Sequence, residues 1–335
     1  MDPATLPLIE PPYFDEELGA CVLTRHGDVL SAMRSSSLAM DSREPVTDET
    51  IAAMRKIREE TIEALSSTQL RAWLEELRPL VEQNVATLPN GIVVDLVDDY
   101  LMPCCLELAV LVTGIDANDA IRLRELARPV SEAAAEPCDD SLRAQAKIVT
   151  PQLQACFHAQ AESLRDSGFV ALSHTLPAML ANGCYSLLRH PGQWTLLHRQ
   201  PELVESALEE LIRYAGLSRY LKRRATEDVV LSGVRFRKGD RLILRIIAAN
   251  HDPERFACPH QLDVLRRDAG HLALGAGPHA CVGANLIRMA SAAIMRPLLQ
   301  RFSFATLSGG VNWRGGSGFR APLNLPVILS DIAAS

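Results

Sequence analysis

Several things are missing from this sequence, and each absence removes a class of function. No apolar run approaches the roughly 20 residues that a membrane-crossing helix needs; the best, LELAVLVTGI at 106–115, follows acidic residues and fits a buried helix. There is no basic block and no interleaving of basic with aromatic side chains, and the net charge is −7, so neither a membrane nor a nucleic-acid partner is expected. The opening, MDPATLPLIEPPYFDEE, lacks a basic stretch followed by an apolar one and does not read as a secretory signal. The eight cysteines form no Cys-x-x-Cys and no short-range Cys/His pairing of the zinc type. A reducing cytoplasm is the expected setting, with most of these thiols in the core or on the surface.

What is present is a chain of 335 residues, 47% apolar, long enough for two average domains or one large one, with a substantial core either way. Its most informative stretch is His271 to Arg288, HLALGAGPHACVGANLIR. Gly275, Gly277 and Gly283 let the backbone turn tightly, approach a flat ligand and leave N–H groups free to face sulfur. From Ala284 the apolar spacing Leu286, Ile287, Ala290, Ala293, Ile294, Leu298 is helical, which puts Cys281 just before a helix N-terminus. Both features favour a thiolate, and an anionic sulfur so held is a good ligand for iron.

At these residues the chain resembles the cytochrome P450 family, whose cysteine loop reads Phe-Gly-x-Gly-x-His/Arg-x-Cys-x-Gly. Gly275, Gly277, His279, Cys281 and Gly283 match, and Leu274 stands where the family has phenylalanine. The resemblance implies a mainly α P450 fold, a single haem domain over residues 1–335 with a small β region. The implied cofactor is haem b, iron protoporphyrin IX, with Cys281 as its axial metal ligand and Leu274, Gly275 and Gly277 against its face.

The resemblance extends along the chain. Residues 21–34 read as a strand and a helix, 48–66 as a helix with an acidic first turn, 68–88 as an amphipathic helix and Leu96 to Gly114 as a more apolar one. On the second of these helices Arg58 aligns with an arginine that grips a haem propionate, while Met54 replaces the usual histidine and is left with packing. Arg223 aligns with a second propionate arginine, and His279 is the third contact. The polar helical stretch Ala117 to Gln160, broken near 133–140, stands for the two roof helices, and this cap is shorter than usual, as is the connection before Asp48. The helix 200–216 carries Glu210 and Arg213, matching Glu-x-x-Arg, and Arg266 takes the place of the later arginine that locks this pair. A turn is expected at Arg237–Asp240 and a closing hairpin in the tail. Arg219 and Lys222, in the stretch that lines the family's pocket, either select an anionic substrate or extend into solvent.

The helix Phe169 to Arg189 departs from the pattern. Ala171, Leu172, Ser173, His174 and Thr175 occupy the positions of the family's Ala/Gly-Gly-x-Asp/Glu-Thr over the iron, so the threonine is kept, leucine replaces glycine and histidine replaces the acid. Thr175 and His174 are the candidate catalytic residues, since a histidine titrating near neutral pH can carry protons where a carboxylate would. Pro177 removes an N–H and is expected to kink or widen the helix. The implied function is a haem-thiolate oxidase of secondary metabolism, acting on a small or carrier-bound substrate with a ferredoxin or flavodoxin partner. The alternatives are a peroxide-driven or reductase-independent enzyme (rearrangement, dehydration or coupling) built around His174 and Leu172, and a P450-like auxiliary scaffold.

Overall fold

The structure is a computed structural model that describes residues 8–41, 48–136, 139–157, 164, 166–268, 270–314 and 318–331. Cys138 and the side chain of Met54 lie outside the described residues.

Strands β1 (Tyr13–Asp15) and β2 (Ala20–Leu23) lead into α1 (His26–Arg34) and β3 (Leu38–Met40). Then come α2 (Asp48–Ala64) and α3 (Ser67–Thr87), the latter opened by the Ser66 side chain accepting from the Gln69 N–H, a cap for an otherwise unpaired amide. Strand β4 (Val93–Asp95) precedes a π-helical turn, Val97–Leu101, that runs directly into α4 (Met102–Thr113). This is the apolar 106–115 run, and it is buried: Cys104, Cys105, Leu108 and Ala109 have no exposed surface. Gly114, at φ 68°, ends it in the left-handed conformation that glycine accepts without strain. Among the described residues, no helix is long and apolar enough to cross a membrane.

The two roof helices are α5 (Ala120–Ala135) and α6 (Asp140–Gln154), which pack on each other. The expected break between them is observed, and Asp139 caps the second through the N–H groups of Ser141 and Leu142. Next, α7 (Asp166–Val170), a π-helical turn (Ala171–Thr175) and α8 (Leu176–Arg189) form one uninterrupted helical run. It is followed by α9 (Pro191–Arg199) and α10 (Val204–Ala215). Strands β5 (Leu221–Ala225), β6 (Val229–Leu231), β7 (Val234–Phe236) and β8 (Arg241–Leu244), and the short α11 (Ile246–Ala249), lead to the cysteine loop and α12 (Ala284–Arg301). Strands β9 (Phe304–Leu307) and β10 (Pro326–Ser330) close the chain.

The expected turn at 237–240 is present: the Asp240 N–H donates to the Arg237 C=O, the Arg237 N–H to the Asp240 carboxylate, and Gly239 takes φ 97°. One sheet has the order β1-β2-β8-β5-β3, with β2 and β8 parallel through Cys21↔Leu242 and the remaining pairs antiparallel. A second, β4-β10-β9, draws the tail back against residues 93–95. The main core runs through α3, α4, α8, α10 and α12. A smaller one joins α1 to the first sheet and to Leu272 at the start of the cysteine loop. A helical body with a small β region is thus the observed architecture.

Candidate active site

Backbone geometry builds the cysteine loop. Gly275 and Gly277 sit at φ 76° and 71°, where a side chain would be strained. A Cβ on Gly277 would also lie 2.7 Å from the Met33 carbonyl at the end of α1, so the loop packs backbone to backbone against that helix. The Cys281 N–H donates to the Leu274 C=O at 2.8 Å, closing the loop, and the Ile287 N–H donates to the Gly283 C=O at 2.8 Å, starting α12. Leu274 contributes this carbonyl.

Cys281 keeps solvent-accessible surface although protein surrounds it on most sides. The expectation that the loop by itself favours a thiolate is corrected here. Burial pushes the Cys281 thiol above its ordinary value, and the Gly283 N–H together with the Arg58 and Arg288 charges only partly offsets it. A bound iron would supply a cation that favours the ionised sulfur.

The three expected propionate contacts converge beside the loop. Arg58 reaches from α2 to donate to the Ala280 C=O at 2.8 Å. Arg223, on β5, is buried and donates to the neighbouring Lys222 C=O at 2.9 Å; burial lowers its pKa. His279 lies near enough to both that, after desolvation, the Arg223 and Arg58 charges depress its pKa. A buried guanidinium beside a second cation, with no carboxylate on either among the described residues, is costly unless an anion is held there. The propionates of a haem fit that requirement, and the exposed Cys281 fits its iron.

Behind the loop stands the expected ion network. Glu210 and Arg213, both fully buried, pair at 2.6 and 2.8 Å, and Arg266 Nε lies 3.0 Å from Glu210. Arg213 also donates to the carbonyls of Asn250 and Pro259 at 2.7 and 3.0 Å. Glu209, next in line, meets Arg288 at 2.6 Å and His271 at 3.2 Å. Burial acts to raise Glu209, but these two partners outweigh it and hold the carboxyl at about 2.

Opposite lies the helix that departs from the family pattern. Its widening is real: over Ala171–Thr175 the turn is π-helical, with the Leu176 N–H returning to the Ala171 carbonyl just before Pro177. In an α-helix the amide at 177 would take the Ser173 carbonyl. Pro177 has no such amide, and the Arg124 side chain of α5 donates to that oxygen at 3.1 Å instead. Sequence inspection does not single out Arg124; the carbonyl freed by Pro177 is the one signal that could have prompted a search for it.

His174 answers this contact from the same side, its Nε2 lying 3.0 Å from the Arg124 carbonyl. Its expected role as a distal proton carrier is therefore corrected. The ring is buried and committed to α5, and burial followed by the Arg124 charge lowers its pKa to about 4, leaving it neutral at pH 7. Leu172, expected to fill the space left to dioxygen, packs into the main core. The face that remains open carries Ala171, which is exposed, and Thr175, half-buried one turn later. The Ser173 hydroxyl bonds back to the Phe169 carbonyl, whereas that of Thr175 has no such bond among the described residues.

Comparison with known proteins agrees with this arrangement. A family model described as Cytochrome P450 matches residues 197–314. Nocardicin C N-oxygenase of Nocardia uniformis subsp. tsuyamanensis is 30% identical, covering 91% of this chain and 88% of its own. The 6-deoxyerythronolide B hydroxylase of Saccharopolyspora erythraea is 29% identical over 76% of this chain and 72% of its own. Among solved structures, P450BioI in complex with hexadec-9Z-enoic acid ligated acyl carrier protein superposes with a TM-score of 0.88 at 22% identity, over 98% of this chain and 97% of that one. CYP109B1 from Bacillus subtilis gives 0.82 at 20% identity, over 95% of both.

Proposed function

This chain belongs to the cytochrome P450 family, and from that premise we propose that it is a single-domain haem-thiolate monooxygenase of secondary metabolism with Cys281 as the iron ligand. A P450-type oxidoreductase with a haem cofactor is what the family gives. The observation that carries the finer reading is the meeting of Cys281 with Arg58, Arg223 and His279, two guanidinium groups and an imidazole with no carboxylate paired to them among the described residues. Bound through a thiolate, haem supplies an iron toward which sulfur pushes electron density, favouring O–O cleavage.

The chain's own residues do the rest. Gly283 aims an N–H at the sulfur, Arg58 and Arg223 grip the propionates, and His279 completes that contact. Thr175 holds a proton at its hydroxyl on the open face of the distal helix and passes it on by way of water. Leu172 and His174, the two residues that would motivate a peroxide-driven enzyme, are engaged in packing, so reduction by a ferredoxin or flavodoxin is the favoured route. The retained thiolate loop speaks against a scaffold. The relatives' activities, N-oxygenation and hydroxylation, support a small natural product as substrate; P450BioI shows that the fold can also serve a carrier-borne one.

The test is spectroscopic and then kinetic. Haem-loaded protein, reduced and exposed to carbon monoxide, should show the absorption typical of thiolate ligation, and Cys281→Ala should lack it. A wild-type spectrum without that band would overturn the assignment. Turnover with a ferredoxin system should exceed turnover with peroxide; the reverse would restore the reductase-independent alternative.

A further inference from the structure

A second group of cations lies apart from the cysteine loop and is not used by the reading above. The segment leaving α10 pairs with the tail: Ser218 bridges Phe319 antiparallel, the Arg219 N–H donates to the Gly318 C=O at 2.9 Å and the Arg320 N–H to the Leu217 C=O at 3.3 Å. Residues one step from a bridged pair project to the face opposite it, so Arg219 and Arg320 are diagonal neighbours on one face. With Asn182, Tyr185, Ser186 and Trp313 they line a narrow cleft. The Arg320 guanidinium lies over the Trp313 ring, 4.5 Å from its centre, and Tyr185 meets the same ring edge-on at 4.9 Å.

Arg245, just past β8, adds a third charge. Burial, then Arg320 and Arg245, lowers the Arg219 pKa, and Arg245 Nε is buried without a hydrogen-bond partner. Several other arginines are paired: Arg213 with Glu210, Arg224 and Arg241 with Asp41, Arg288 with Glu209. Among the described residues Arg219, Arg245 and Arg320 form no ion pair; the Glu136 carboxylate nearby is taken up by the Gly318 N–H at 3.0 Å. Guanidinium groups crowded on a partly desolvated cleft repel one another until an anion enters, and their fork geometry suits a carboxylate.

We propose that this cleft is a substrate clamp, in which Arg219 and Arg320, backed by Arg245, hold the carboxylate of an amphiphilic organic acid while Trp313 and Tyr185 pack against its apolar body. Asn182 lies two turns beyond Thr175 on the same helix, a rise of about 10 Å. The acid end is thus held at a distance from Thr175, and a carbon several bonds from the carboxylate is the one presented there. This rests on the haem reading above, which makes Thr175 part of the reactive face.

The experiment uses ω-(imidazol-1-yl)alkanoates and the matching ω-(imidazol-1-yl)alkanols over a range of chain lengths. Their affinities for the haem-loaded protein are measured by calorimetry, and imidazole ligation is followed separately in the haem spectrum. At one chain length or more, the acid should bind about 10- to 100-fold more tightly than its alcohol, the range expected for one charge-assisted contact. That preference should fall to near unity in Arg219→Gln and in Arg320→Gln, and be partly kept in Arg320→Lys. Equal affinities at every length, or a preference that survives both Gln variants, would overturn the clamp. So would loss of haem from Arg219→Gln, which would make Arg219 a cofactor contact. A calorimetric preference abolished by the variants but without imidazole ligation in the spectrum would keep the clamp and sink the haem reading instead.

Discussion

On the side of Cys281, positions are set by backbone geometry and by buried charge; on the side of Thr175, they are set by side chains reaching across from the roof. The cysteine loop has two left-handed glycines, one with its backbone against α1, and behind it the fully buried Glu210–Arg213 pair. Little there can change without loss. The distal helix has instead absorbed a leucine, a histidine and a proline, because the main core takes the first and α5 offers hydrogen bonds for the consequences of the other two. The comparison teaches that departures from a family pattern are tolerated where a neighbouring helix can satisfy the freed groups, and that such departures do not of themselves announce new chemistry.

The largest effect should come from Arg213→Ala, which takes from the buried Glu210 its closest cation, leaving only Arg266, and removes donors from two carbonyls. Breaking a buried pair costs about 3–5 kcal/mol, and denaturant unfolding should report a loss of that size. A loss below about 1 kcal/mol would mean that the proximal side is not held by charge after all.

A smaller effect is expected from Arg223→Ala. If a propionate is its partner, the variant forfeits a charge-assisted bond worth about 1.5–3 kcal/mol, and haem should leave roughly 10- to 100-fold more readily in a transfer assay to apomyoglobin. Unchanged haem retention would assign this arginine elsewhere.

The smallest change should come from His174→Gln, whose amide can still donate to the Arg124 carbonyl. The folded-state pKa of His174, about 4, lies below the ordinary 6.5, so between these values the unfolded chain takes up the proton first. The stabilisation that accompanies a neutral His174 is complete above pH 6.5 and is lost as pH falls through 4. Stability measured from pH 7 to pH 4 should decline less steeply in His174→Gln than in the wild type. Turnover at pH 7 should be little altered, whereas Thr175→Ala should lower it clearly. Parallel pH slopes, or a collapse of activity in His174→Gln, would erase the distinction drawn here between the two sides.

How much of this could be read beforehand depends on how local each signal is. The cysteine loop lies within a few residues of sequence, and its glycines declare the backbone they need. Glu210, Arg213 and Arg266 came in order at matching intervals, and the structure joins them. The face shown by His174 could not be read by counting positions, because a π-helical turn at Ala171–Thr175 shifts the phase of the helix at that point. Arg124 and Arg320 were invisible for another reason. Each is an ordinary arginine in a polar stretch, and its meaning comes from a partner far away in sequence. The thiol of Cys281 misled in a third way, since burial opposed the local fields that the loop and the helix end suggested.

The pairing of Ser218 with Phe319, and of β4 with β10, has a consequence for how such a molecule comes into being. On the ribosome the cysteine loop and both roof helices emerge before residues 318–331, yet without those residues the cleft lacks a wall and the second sheet lacks its central strand. A nascent chain can therefore assemble most of its helical core before β10 arrives to join β4 to β9, and the proposed clamp forms later than the cysteine loop.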